Sequence, residues 1–267
     1  MTSSPPLEIL LKRDRAVVVG GLAGITLLAW FYLVHLHRAM AMPMDMMNMP
    51  GMAMPMMQDW RPSDFLLTFV MWAVMMVGMM VPSVAPMVLT FATVNRRRAE
   101  RGGPYVPAGI FLAGYLAAWT TFSFLATVAE WRLHAAALLN AETQTLAPRL
   151  AAGLLIAAGI FQLTPAKNAC LTHCRSPLDF LTTEWREGWG GALRMGLKHG
   201  SYCIGCCWML MALLFVAGVM NLLWVAALSA FVLAEKLFPR GRSISFVGGA
   251  VCSAAGVIWL ARLLGAA

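Results

Sequence analysis

His199-Gly-Ser-Tyr-Cys203-Ile-Gly-Cys206-Cys207-Trp208 opens a long apolar run and carries three of the six cysteines and one of the five histidines. Read as a helix, positions 199, 203, 206 and 207 follow an i, i+4, i+7, i+8 spacing, so their side chains share one face. Three thiols and an imidazole on one helix face make a soft-ligand surface. Thiolates select copper(I), zinc or iron–sulfur clusters over hard cations. The stretch predicts a helix that crosses a membrane and holds a soft metal.

The rest of the chain supports the membrane part of that reading. Residues are 60 % hydrophobic and 12 % charged, and the mean hydropathy is +0.71. A soluble domain carries roughly 25 % charged residues. Several apolar runs reach the roughly 20 residues that cross a bilayer. The expected fold is all-α, a single polytopic transmembrane bundle over residues 1–267. About seven spans are expected, near 16–35, 65–94, 106–129, 150–169, 199–219, 222–235 and 244–263. The first run is too long for a signal-peptide core and lacks a small-residue cleavage site.

The net charge of +8 does not imply nucleic acid, because the positive residues cluster between the apolar runs. Fifteen Lys and Arg fall on one side of the seven spans and five on the other. The positive-inside rule then puts the N-terminus in the cytoplasm of a bacterial inner membrane.

Sulfur recurs along the chain. Ten of the eighteen residues from Met40 to Met57 are methionine, Met42, Met44 and Met46 among them. Pro43, Pro50, Gly51 and Pro55 predict that this stretch, within an outer loop over 38–60, is not helical. Thioethers bind copper(I) and remain ligands in an oxidising compartment, where cysteines pair. In the second run, Met71, Met75 and Met79 repeat every four residues. They read as ordinary packing or as a thioether ladder through the bilayer. Pro82 and Pro86 predict a kink there.

A second cysteine group, Cys170-Leu-Thr-His173-Cys174, leaves the fourth span. Its thiols are one helical turn apart, and Lys167 would favour the Cys170 thiolate. Both groups are expected at the cytoplasmic ends of their spans. Gly196, Gly200 and Gly205 would let the fourth and fifth spans approach closely. Cys170, His173, Cys174, His199, Cys203, Cys206 and Cys207 are the candidate metal ligands. Cys252 reads as an apolar filler, and Glu235 with Lys236 as an interfacial pair.

Three motifs carry a family resemblance. They are Met71-Trp72 with Met75-Met76 and Met79-Met80-x-Pro82-x-x-x-Pro86, then Pro165-x-Lys167-x-x-Cys170-Leu-x-x-Cys174-Arg-x-Pro177. The third is Gly196-x-x-x-Gly200-x-x-Cys203-x-Gly205-Cys206-Cys207-Trp208. Over roughly 65–240 the chain resembles a bacterial family of unknown function described as predicted metal-binding integral membrane proteins. That resemblance implies metal binding and no set activity. The methionine segment alone is similar to the outer segments of copper transporters.

The expected function is handling of a soft metal, copper(I) before zinc. An outer thioether loop captures it and cytoplasmic thiolates hold it, for uptake or for delivery to a metallochaperone or a cuproenzyme assembly partner. No ATP-binding loop or pump-type Asp motif is present, and no enzymatic activity is expected. The same cysteines also allow a transmembrane thiol–disulfide relay.

Overall fold

The computed structural model describes residues 5–47, 61–139 and 145–265, with side chains of the first segment described from Arg15 to Ala39. Its described residues are helical apart from turns and a single bridge between Leu139 and Leu146. In chain order the helices are α1 (Pro5–Met47), α2 (Pro62–Ala99), α3 (Ala108–Ala135), α4 (Pro148–Leu163) and α5 (Pro165–Arg175). They continue as α6 (Pro177–Glu184), α7 (Gly188–Ala212), α8 (Leu214–Ala217), α9 (Leu222–Leu237) and α10 (Gly241–Gly265).

Prolines mark the starts. Pro62, Pro148, Pro165 and Pro177 all stand in the first turn of a helix, where a missing N–H costs nothing. Pro165 and Pro177 make the difference from expectation. They turn part of the polar connection 170–198 into the short helices α5 and α6, and they end α4 at Leu163. The Thr164 side chain accepts from the Lys167 N–H and caps α5, and α4 and α5 meet at a bend of 63°. Inside α2, Pro82 and Pro86 do not break the helix. α1 also runs on through Met40–Met47, against the expected non-helical loop. One proline removes one hydrogen bond there, and the flanking Met and Ala are strong helix formers. The rest of that loop, and the side chains of Met42, Met44 and Met46, lie outside the described residues.

Polarity is distributed inside out. Leu28, Phe31, Leu67, Leu223, Phe246 and Val251 are exposed, whereas Glu130, Lys167 and Glu235 are at most 1 % exposed. Apolar residues outside and ionisable ones inside suit a lipid environment rather than water. Among the described residues, five helices are long and apolar enough to cross a membrane, or six if α4 and α5 form one broken span. α9, with 16 residues, is shorter than the roughly 20 that a straight crossing takes.

Glycines set the closest helix contacts. α3 and α7 run parallel, with Gly196 against the Phe111 carbonyl, Gly114 against the Leu193 carbonyl and Gly200 against Ala118 and Tyr115. Sequence reasoning assigned Gly196 and Gly200 to the seam between the fourth and fifth spans. They serve α3 instead, and only Gly205 faces α5. α4 and α10 pair antiparallel through Gly159, Gly249 and Gly256 in the same manner. Gly196→Leu has no room without separating α3 from α7. Overpacking of this kind costs about 1–3 kcal/mol or more, and unfolding in detergent by SDS titration should show it as an earlier midpoint.

Candidate metal centre

α7 starts at Gly188, not at His199, so its cysteines sit in mid-helix. The start is pinned from α2: the Trp185 ring stacks on Phe91 with centroids 5.6 Å apart, and the Arg98 guanidinium lies 4.6 Å over Trp185. Cys203, Cys206 and Cys207 are all fully buried. Cys203 joins two residues at the centre of α2. Lys236 Nζ donates to Cys203 Sγ at 2.8 Å and to Ser83 Oγ at 3.0 Å. Tyr115 Oη lies 3.1 Å from Cys203 Sγ and donates to the Met80 carbonyl at 3.4 Å. The thiols therefore stand half-way along α2, not beside its end.

The two cysteine groups meet. Cys174 Sγ is 4.0 Å from Cys206 Sγ, and Cys206 Sγ is 3.2 Å from Cys207 Sγ. Cys206 Sγ also contacts the Cys203 carbonyl at 3.1 Å. A Cβ on Gly205 would come within 2.8 Å of Cys170 Sγ, so glycine is what lets α5 close on α7. All six cysteines are free thiols. Among the described residues, no group of three or more His, Cys, Asp or Glu side chains is placed to hold a metal ion; the sulfurs come as pairs. Bonds of about 2.3 Å separate two sulfurs on one metal by roughly 3.8 Å at a tetrahedral angle and roughly 4.6 Å when linear. The Cys174–Cys206 separation falls between those limits.

Among the described residues, neither histidine is hydrogen-bonded to a sulfur. His173 is exposed, stacks on Tyr202 with centroids 4.4 Å apart, and engages the Ala169 carbonyl through Nδ1 at 2.9 Å. His199 is buried among the rings of Phe111, Tyr115 and Phe180, and its Nδ1 has no hydrogen-bond partner among the described residues. Met71, Met75 and Met79 are buried in the core with Met76 and Met80, which the packing reading requires. Cys252 is half-buried on α10.

Sequence reasoning missed Lys236, Tyr115 and Ser83. It paired Lys236 with Glu235, but consecutive helical residues point about 100° apart. Glu235 instead takes Lys167 Nζ at 2.6 Å, which removes Lys167 from its expected role beside Cys170. The available signal was a lysine ending an apolar run opposite a run of cysteines. Lys236 stands where an ammonium would offset the charge of a Cys203 thiolate. Truncating it removes both bonds and leaves Cys203 Sγ to Tyr115 and Ser83 Oγ to the Met80 carbonyl, so Lys236→Ala should cost about 1–3 kcal/mol. A double-mutant cycle with Cys203→Ala, read by detergent unfolding, should show the two losses to be non-additive.

The comparisons with known proteins agree with this chemistry. A family model described as "PpoB2: Copper chaperone" matches residues 69–259. No curated protein and no solved structure matches. The matched stretch contains both cysteine groups, Lys236 and the α2 methionines. It supports the expected association with copper, where the family resemblance implied only a metal. With the match covering most of its length, the chain belongs to the PpoB2 copper-chaperone family.

Proposed function

We propose that the chain is an integral membrane copper(I) chaperone of a bacterial cytoplasmic membrane, without enzymatic activity. The methionine segment captures copper(I) outside. The half-buried thiol of Cys174 and the buried thiols of Cys203, Cys206 and Cys207 hold it, and Cys170 waits beside Gly205. α9 counts as a seventh, short span in this arrangement, and the N-terminus is cytoplasmic. Ligand strength then rises inward from thioether to thiolate, which favours uptake and delivery to a metallochaperone or a cuproenzyme assembly partner.

The observation that carries the proposal is the convergence of Cys174 and Cys206 from separate helices to 4.0 Å. Soft sulfur pairs suit copper(I), whereas structural zinc takes four ligands. The Met71–Met79 stripe supports a path, because it descends α2 to Met79 and Met80, whose carbonyls meet Ser229 and the Tyr115 hydroxyl. That hydroxyl reaches Cys203. The Cys174–Cys206 approach also supports a thiol–disulfide relay as a second reading.

Replacing Cys203, Cys206 and Cys207 together by Ser should reduce copper(I) binding in detergent from stoichiometric to undetectable. Unchanged binding would refute the proposal. Removing residues 40–57 should slow copper uptake into proteoliposomes while leaving stoichiometric binding intact. Thiol trapping separates the two readings: free thiols that copper(I) protects from alkylation support the chaperone, and a mixed disulfide with a thioredoxin-like protein supports the relay.

A further inference from the structure

One cavity lies away from the sulfurs, where the apolar stretch of α1 begins and α2 ends. It measures about 270 Å³, and Arg15 and Arg96 both line it, with the exposed Tyr105 beside them. A space of roughly 10–15 Å³ already admits a water, so this one has room for a larger group.

Arg15 opens the apolar stretch of α1, which runs to Ala39, and Arg96 belongs to the basic last turn of α2, Arg96-Arg97-Arg98. A shared cavity puts the polar ends of both helices at one height, as two spans of one bilayer require. On the apolar side of the two arginines the lining continues as Val17, Leu89 and Ala92. Val17 is exposed, so this part of the cavity opens sideways onto the apolar outer face of the bundle.

The lining also selects the charge of an occupant. Among the described residues, no carboxylate lines the cavity. Asn95 Nδ2 donates to the Val106 carbonyl at 2.7 Å, and the Thr93 hydroxyl to the Leu89 carbonyl at 2.9 Å. Arg96 Nε meets Glu100 Oε1 at 3.5 Å, which sets one nearby carboxylate against two guanidinium charges. α3 begins at the cavity with Ala108 and Gly109 and has no acidic residue in its first turn, so its terminus adds to the positive field. A cation is disfavoured here and an anion is attracted.

Cationic groups at one level and an apolar opening below them match an amphiphile. Guanidinium forks suit phosphate oxygens, and basic pockets between transmembrane helices seat anionic headgroups. We infer that the cavity binds one anionic phospholipid, with its phosphate against Arg15 and Arg96 and the start of an acyl chain along Val17, Leu89 and Ala92. α1 packs chiefly on α2, and a lipid held here ties it to α3 as well. The inference is independent of the copper(I) reading and rests on the part of the proposed function that embeds the chain in a membrane.

The test is native mass spectrometry of the full chain purified in a neutral detergent. The chain is titrated with dioleoylphosphatidylglycerol, with dioleoylphosphatidylcholine or with inorganic phosphate. The wild type should retain one phosphatidylglycerol in preference to phosphatidylcholine. Arg15→Gln should weaken that retention about fivefold, and Arg15→Gln with Arg96→Gln should lower it to the phosphatidylcholine level. Ala92→Trp, which fills the apolar part, should weaken it with both arginines in place, and Arg262→Gln should leave it unchanged. Wild-type retention in the double arginine variant would overturn the inference, as would equal retention of the two lipids by the wild type. Displacement of the lipid by inorganic phosphate at equal concentration would make the site one for a soluble anion and overturn the lipid assignment. Should Arg96→Gln not fold, Arg15→Gln and Ala92→Trp decide by the same readout. A chain that stays in solution without detergent would overturn the membrane reading and this inference with it.

Discussion

An ammonium enclosed by an apolar bundle must find acceptors inside it. Lys236 finds two, Cys203 Sγ on α7 and Ser83 Oγ on α2, and in doing so ties three helices at one height. Desolvation makes this contact expensive to break, so it fixes the register of α9 against the other two. Tyr115 joins the same knot from α3. With α2, α3, α7 and α9 held at that level, Cys206 points toward α5 and Cys174, with Cys207 beside it. The sulfur cluster is a product of this charge constraint as much as of cysteine spacing.

The glycine contacts provide the approach that the knot needs. Gly196 and Gly200 bring α7 onto α3 at backbone distance, and Gly205 admits Cys170 on another side of the same helix. One helix thus uses small residues on two faces, which is how small-residue packing lets helices associate where apolar burial offers no drive. The α4–α10 pair repeats the device.

What was legible in the sequence followed from periodicity and ligand chemistry. The all-helical class, the meeting of the 170/174 group with the 203/206/207 group, and the soft-metal character were all readable from spacing and residue type. Features decided by partners far along the chain were not. Nothing local says that Lys236 reaches Cys203 while Glu235 turns to Lys167. Nor does composition reveal that Trp185, stacked on Phe91, precedes a helix that starts at Gly188, which moved the thiols from a helix mouth to its middle. His173 and His199 fit the ligand spacing, yet aromatic neighbours from other elements hold both rings. Proline misled in one place and informed in another: Pro43 sits within a continuous helix, whereas Pro165 divides what read as a single span.

That division at Thr164 has a mechanical side. A bend of 63° interrupts the regular hydrogen-bond ladder, so α5 is attached to α4 by a joint. Cys170 and Cys174 ride on the short arm of that joint, and Cys203, Cys206 and Cys207 are fixed on an unbroken helix. That arm is also tied at both ends, by the buried Lys167–Glu235 pair and by the Arg175 bonds to the Phe238 and Pro239 carbonyls, so the bend turns the two sulfurs toward α7 and these contacts keep them there.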